Sequence, residues 1–384
     1  MARLKEIAKI NQRSLSSNHH FRTIAYLDTG SITENKIQKI QYLDLSCDKL
    51  PSRARRCVQE NSILFSTVRP NQNHFGILDT KKNDNFVVST GFCVIDVDTE
   101  KANPRYVYYF LTQPKLIATL QGLAEQSVST YPTLKPTDLE EVEIVLPSLT
   151  TQDQIVSVLK ALDKKISNNL QINDYLEQLC LLKVQALLNA SDEVICLEKI
   201  ANVNPSYSLK KGQIAKFIDM AALGINTSMP NEIKQKAFSG GQRFSNGDTL
   251  IARITPCLEN GKGGFVNYLE QNEIAFGSTE YIVLNSASPV VSNEVLYFIT
   301  RTKDFREYAV KQMTGTSGRQ RLSWQSVSKY EFVDITRSSK LAEVNNLCHV
   351  SLNVIRNNFL QNQRLAVIRD ILLPKLLSGA LELD

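Results

Sequence analysis

Histidine, tryptophan and paired cysteines are what this chain is short of. Its 384 residues hold one tryptophan and four histidines, at positions 19, 20, 74 and 349. None of the histidines stands at a spacing that suggests a hydrolytic triad or a metal site. The seven cysteines (47, 57, 93, 180, 196, 257 and 348) are an odd number with no C-x-x-C pair, which fits buried free thiols better than a disulfide framework or a metal centre. No G-x-x-x-x-G-K-[ST] segment occurs, and no glycine-rich turn follows a strand in the manner of a dinucleotide or S-adenosylmethionine cradle. Gly261-Lys262-Gly263-Gly264 lacks the hydroxyl residue and the spacing of a phosphate loop. The acidic run from Asp138 to Glu143 is expected to have no lysine partner in reach and reads as a solvated helix turn rather than a nuclease centre. No apolar run approaches the ~18 residues of a membrane helix, and the opening Met1-Ala2-Arg3-Leu4-Lys5-Glu6 is amphipathic rather than signal-like, so a cytoplasmic location without membrane contact is expected. A net charge of +5 does not by itself indicate a nucleic-acid partner.

What the chain does have is a repeat. Leu4, Ile7, Ala8 and Asn11 return as Leu197, Ile200, Ala201 and Asn204. Tyr42-Leu43-Asp44-Leu45 answers to Phe217-Ile218-Asp219-Met220, and Ser62-Ile63-Leu64-Phe65 with Pro70 to Asp248-Thr249-Leu250-Ile251 with Pro256. The order continues through Ser89-Thr90 and Ser278-Thr279, Tyr109-Phe110-Leu111 and Tyr297-Phe298-Ile299, then Asn168-Asn169 and Asn357-Asn358. Blocks kept in one order imply two copies of one structural unit, and hence two similar binding surfaces.

Two segments read as long helices. Thr151 to Leu188 holds no proline or glycine and carries a heptad seam through Ile155, Leu159, Leu162, Ile166, Asn169, Asn173, Leu176, Cys180, Lys183 and Leu187. Leu341 to Leu377 carries Val344, Cys348, Ser351, Ile355, Asn358, Asn362, Leu365, Arg369, Leu372 and Leu376. Packed antiparallel, the two set Asn169 against Asn362 and Asn173 against Asn358, a polar layer that fixes register at a cost in stability. The alternative shifts the stripes to Leu170 and Phe359 and leaves the asparagines in solvent. Thr151 with Gln154 resembles a capping box, and Pro374 with Gly379 marks the end of the second helix.

Between these lie mixed segments. Ser62–Val68, Phe86–Val97 and Val142–Leu146 read as strands and Arg105–Leu120 as a helix; Thr249–Ile254, Glu273–Leu284, Glu294–Tyr308 and Tyr330–Ile335 repeat that order. The expected class is α+β: two similar α/β globules separated and joined by two long antiparallel helices, as a pseudo-two-fold repeat. The expected divisions are a globule over 1–150, a helix over 151–191, a globule over 192–338 and a helix over 339–384.

Globule, helix, globule, helix resembles the specificity subunit of type I restriction-modification systems. Asn61-Ser62-Ile63-Leu64-Phe65-Ser66-Thr67-Val68-Arg69 and Gly247-Asp248-Thr249-Leu250-Ile251-Ala252-Arg253-Ile254 are similar to that family's turn-and-strand signature. Leu146-Pro147-Ser148-Leu149 with Gln152 to Ile155, then Leu162-Asp163-Lys164-Lys165-Ile166, resembles the start of its first conserved helix. The second junction departs from this pattern, reading Thr336-Arg337-Ser338-Ser339 without the proline. The resemblance implies that each globule is a target recognition domain reading one half of a split DNA sequence. It implies a non-catalytic subunit whose helices are spacer and docking surface for two methyltransferase subunits, with restriction subunits as further partners. It implies no cofactor here, S-adenosylmethionine belonging to the modification subunit. A helix of ~37 residues spans about 55 Å, which suits two short specific parts separated by a nonspecific gap. A self-contained methyltransferase-nuclease and a protein-binding scaffold are the other readings.

For a reader of double-stranded DNA, the candidate contacts are donors on loops. Gly315-Thr316-Ser317-Gly318-Arg319-Gln320-Arg321 combines glycines, which let backbone come close, with two arginines and a glutamine. Its counterpart, Ser127-Val128-Ser129-Thr130-Tyr131, is uncharged and offers Ser129 and Tyr131. Further candidates are Arg253, Asn260 and Lys262 in the second globule and Arg69, Asn71, Asn73 and His74 in the first. Arg53-Ala54-Arg55-Arg56 is either a phosphate clamp or a solvated basic turn.

Overall fold

The computed structural model describes all residues except 17, 80–81, 127–130, 317, 382 and 384. It divides into two compact units, residues 1–163 with 366–384 and residues 164–365. Each of the long helices, Leu149–Leu188 and Leu341–Leu377, contributes its two ends to different units.

In the first unit, Ala8–Ile10, Phe92–Val97, Ile63–Ser66 and Phe75–Ile77 lie in that order in an antiparallel sheet. A second sheet has the order Gln41–Asp44, Thr23–Leu27, Phe86–Ser89, Ala54–Cys57, with Phe86–Ser89 parallel to Thr23–Leu27. Ala2–Arg3 pairs with Glu143–Ile144. The expected single strand over 86–97 is two strands, because the chain turns at Thr90-Gly91 and passes from one sheet to the other. The expected helix over 105–120 is likewise two, Pro104–Leu111 and Pro114–Glu125. Pro114 lacks the amide a continuous helix needs and starts a new one. The first of these is capped by Asn103, whose side-chain oxygen accepts from the amides of Arg105 (2.8 Å) and Tyr106 (3.2 Å). Its apolar face joins Leu4, Phe65 and Ile95 in a core completed by Ile155 and Leu159 of the first long helix and Leu373, Leu376 and Leu377 of the second. The acidic segment contributes Pro136–Glu140, a single helical turn.

The second unit repeats this plan. Its first sheet runs Ala201–Val203, Tyr281–Ser286, Thr249–Ala252, Gly263–Phe265. Its second runs Lys234–Ala237, Ile214–Ile218, Ala275–Gly277, Arg243–Phe244, again with one parallel pairing. The repeated asparagines have a structural cause. Asn11 and Asn204 both adopt positive φ (57° and 53°), and each side-chain oxygen accepts a backbone amide, from Val94 and Val283, at 3.0 Å. One equivalence shifts: Phe217-Ile218-Asp219 matches Tyr26-Leu27-Asp28, not Tyr42-Leu43-Asp44, because only Thr23–Leu27 pairs parallel as Ile214–Ile218 does. The first globule spells tyrosine-leucine-aspartate twice, and sequence alone does not separate the copies.

Within the second unit the helices pack antiparallel through the asparagines. Asn169 Nδ2 donates to Asn362 Oδ1 and to Gln361 Oε1, both at 2.8 Å, and Asn358 Nδ2 donates to Asn173 Oδ1 at 2.8 Å. Asn169 is fully buried whereas Leu170 is 42% exposed, so the shifted stripe is excluded. Lys183 is exposed and Val184 buried, since beyond Cys180 the helix also faces the globule and its apolar stripe broadens. The first helix begins two residues earlier than expected, with Ser148 Oγ accepting the amide of Thr151 at 3.2 Å in place of the Thr151 box. All seven cysteines are free, and burial pushes the Cys93 thiol up to about 11. No helix among the described residues is long and apolar enough to cross a membrane.

Candidate nucleic-acid interface

In each globule three loops meet as a platform held by backbone hydrogen bonds. In the first, the amide of Thr67 donates to Gly91 O (2.9 Å), that of Leu134 to Thr67 O (2.9 Å) and that of Arg69 to Pro132 O (3.0 Å), around a bridge between Val68 and Thr133. In the second, Arg253 donates to Glu280 O (3.0 Å), Leu322 to Arg253 O (2.8 Å) and Thr255 to Gln320 O (3.1 Å), around a bridge between Ile254 and Arg321. The scaffold is the same, and its side chains differ. Thr67 stands where Arg253 does, Arg69 where Thr255 does, Gly91 where Glu280 does, and Tyr131, Pro132 and Thr133 where Arg319, Gln320 and Arg321 do. Equal backbones with unequal side chains suit two readers of different sequences.

On the first platform Arg69 takes positive φ (48°) and lays its guanidinium 5.0 Å from the centroid of the Tyr131 ring, a cation–π pair that leaves both residues exposed. Asn71 is exposed beside it, its amide donating to Gln121 Oε1 (3.2 Å). Asn73 and His74 are engaged elsewhere: Asn73 Nδ2 donates to Glu34 Oε1 (2.9 Å), and His74 Nδ1 lies 2.7 Å from Ile32 O and 3.2 Å from Thr33 Oγ1. They anchor the small hairpin of Ile32–Thr33 and Lys36–Ile37 rather than facing outward. Ser129 lies outside the described residues, as do Ser127, Val128, Thr130 and Ser317. Of the basic run, Ala54 is buried, Arg56 half-buried, and Arg53 and Arg55 exposed, so one outward cation stands on the edge strand Ala54–Cys57 and one just before it.

On the second platform the Thr314 and Arg321 backbones pair in both directions (3.1 and 2.9 Å) and close a loop through Gly315 and Gly318 at positive φ. A Cβ on Gly315 would lie 3.1 Å from Arg319 O, so the tight return requires glycine. Arg319 points out from this loop, exposed, and Gln320 is half-buried. Arg321 does not present an open fork: its Nε donates to both Glu280 carboxylate oxygens (2.9 and 3.0 Å) and its Nη2 lies 2.8 Å from Oε1. The Glu280 carboxylate raises the Arg321 guanidinium above its ordinary value. Arg253 Nε stands 4.0 Å from the same carboxylate. Asn260 is exposed on the adjoining turn, whereas Lys262 Nζ donates to Met220 O (2.9 Å) and braces the globule from within. Glu280 was missed by sequence reasoning, although the match of Ser278-Thr279 to Ser89-Thr90 put it opposite Gly91. Among the described residues no group of three or more His, Cys, Asp or Glu side chains is arranged to hold a metal ion.

Each copy of the duplicated α+β globule thus carries a loop platform of the same backbone bonding and different side chains. Residues 1–178 match the model of the type I restriction modification DNA specificity domain. The chain is 22% identical to the type I restriction enzyme HindI specificity subunit of Haemophilus influenzae, over 96% of this chain and 97% of that one. It is 31% identical to the EcoAI specificity subunit of Escherichia coli, over 33% of this chain and 22% of that one. The S subunit of a type I system from M. genitalium shares the fold at a TM-score of 0.56 and 16% identity, over 98% and 95% of the two chains. Residues 1–178 therefore carry the DNA specificity domain of type I restriction-modification systems, and over nearly its whole length the chain is similar to a specificity subunit of such a system.

Proposed function

We propose that the two platforms are the DNA-reading surfaces, each addressing one part of a bipartite target. The repeated hydrogen-bond scaffold carrying unequal side chains supports this most directly. On the first, Arg69, Asn71 and Tyr131 are the contacting groups, a cation on an aromatic face with an amide beside it. On the second, Arg319, Gln320, Arg253 and Asn260 serve, with Arg321 available only after leaving Glu280. Phosphate contacts supply affinity, and forked donors at base edges supply specificity. The partners in this reading are two methyltransferase subunits, which carry S-adenosylmethionine, and restriction subunits, all in the cytoplasm. The asparagine layers hold the helices in the register that such partners meet.

Mapping modified adenines in a host with and without this chain tests the reading. The expected result is a motif of two short specific parts with an unspecified gap, lost when the chain is removed. A continuous motif would refute the two-reader assignment. A gel shift whose affinity does not fall as salt rises would refute the DNA contact itself, because phosphate neutralisation releases counterions. Methyl transfer should require added modification subunits, and robust methylation by the purified chain alone would overturn the non-catalytic role.

A further inference from the structure

We propose that Glu280 is a specificity-determining residue of the second platform: its carboxylate withholds the Arg321 guanidinium from backbone phosphate, so that DNA offering phosphate alone is bound weakly. This inference rests on the reading of the platforms as DNA-contacting surfaces. Its first support is the pairing of Arg321. Nε and Nη2 face Glu280, so the side of the fork that would take a phosphate bidentately is occupied, and Nη1 lies 3.5 Å from the Arg319 carbonyl. Its second is the position of Glu280. The side chain is 23% exposed at the junction of the three loops, where its own carbonyl holds the Arg253 amide. Arg253 Nε, buried and without a hydrogen-bond partner, stands 4.0 Å from the carboxylate. Its third is the contrast between repeats. The counterpart of Glu280 is Gly91, and the exposed cation beside it, Arg69, rests on an aromatic face that leaves its charge intact.

A carboxylate on a surface that meets phosphates lowers affinity for every duplex by like-charge repulsion. It raises discrimination when the correct sequence returns more than it removes. A bidentate arginine–carboxylate pair is among the stronger polar contacts, so a lone phosphate does not displace it. A base edge that accepts from the arginine fork, together with the neighbouring contacts of a matched site, does so.

The experiment compares the full chain with Glu280→Gln by fluorescence anisotropy on two probes: a random-sequence duplex pool, and duplexes enriched from that pool by the wild-type protein. Glu280→Gln is expected to bind the random pool several-fold more tightly, with a salt slope steeper by about one. The enriched duplexes gain less, so discrimination narrows. Glu280→Gly, which installs the residue of the first platform, gives the same result and decides the matter if the glutamine variant is unstable. Glu270→Gln removes equal charge from an exposed turn of the same globule, at the end of strand Thr249–Ala252 away from Arg253, and is expected to change little. An unchanged pool affinity and slope in both Glu280 variants overturns the proposal, as does an equal gain from Glu270→Gln, which would reduce the effect to net charge. If the wild-type chain binds neither probe in a salt-dependent way, the DNA reading of the platforms is what fails.

Discussion

Glu177 is a carboxylate set deep in the second unit, and its replacement separates two effects that burial combines. The residue is 8% exposed. Its Oε1 accepts the amide of Ser228 at 2.6 Å and its Oε2 the hydroxyl of Tyr297 at 3.3 Å, and both partners are fully buried. Burial raises the carboxyl above its ordinary value of 4.5, against the pull of these hydrogen bonds and of Arg301. Glu177→Ala leaves two buried donors without a partner, at about 1–3 kcal/mol each, so a gross loss of roughly 2–6 kcal/mol. Relief of the buried charge returns part of it. Glu177→Gln keeps an acceptor for Ser228 and offers an amide to the Tyr297 oxygen, so it should stay at least about 2 kcal/mol more stable than the alanine variant. The pH dependence has a fixed sign. A folded-state value above the unfolded one means stability fully present below pH 4.5 and lost as pH rises through the raised folded value. The wild type should therefore gain on Glu177→Gln as pH falls. The single tryptophan, Trp324, sits in this unit and reports its urea unfolding by fluorescence. Equal losses for alanine and glutamine, or a wild-type advantage that grows with rising pH, would refute the reasoning.

Other outcomes follow from the helix layer and the platforms. Asn169→Leu alone should lower stability by about 1–3 kcal/mol by leaving the Asn362 amide against leucine. Asn169→Leu with Asn362→Leu should exceed the wild type in thermal melts, and a double variant weaker than either single one would show that the layer stabilises. Arg319→Ala should cost about 1–3 kcal/mol on the enriched duplex and relax one base position if the guanidinium reads a base, or reduce the salt slope by about one if it meets phosphate. Arg69→Ala should alter only the other part of the methylation motif, and a change in both parts would mean that the globules do not read independently.

The helices and the repeat were legible because both are written in periodic or duplicated residues. The asparagine pairs followed from a shared number sum, and Leu341–Leu377 from an unbroken heptad pattern. The pattern failed at Lys183, where a helix-to-helix seam gives way to packing against a globule. Breaks within single apolar runs were harder to read. Thr90-Gly91 divides two strands of different sheets, yet the flanking residues are equally apolar and equally buried. The platforms were legible as loops rich in donors, but not as to which donors are free. Nothing local to His74 announces the Ile32 carbonyl, and nothing near Lys262 announces that of Met220. Such partners come from chain segments about forty residues away, brought together only by folding.

The discontinuous make-up of the first unit has a consequence for biosynthesis. Its core needs Leu373, Leu376 and Leu377, which leave the ribosome after the whole of residues 164–365, themselves one uninterrupted stretch. The globule translated first is thus the last able to close, while the one translated second completes itself without help from either end. Until residue 377 emerges, Phe75, Tyr108 and Ile117, which line one cleft with Leu373, lack part of their cover, an apolar surface of the kind that chaperones bind and that aggregates form upon. A premature stop before residue 366 should therefore spare the second reader and ruin the first, the reverse of what a C-terminal truncation ordinarily does to a two-domain chain.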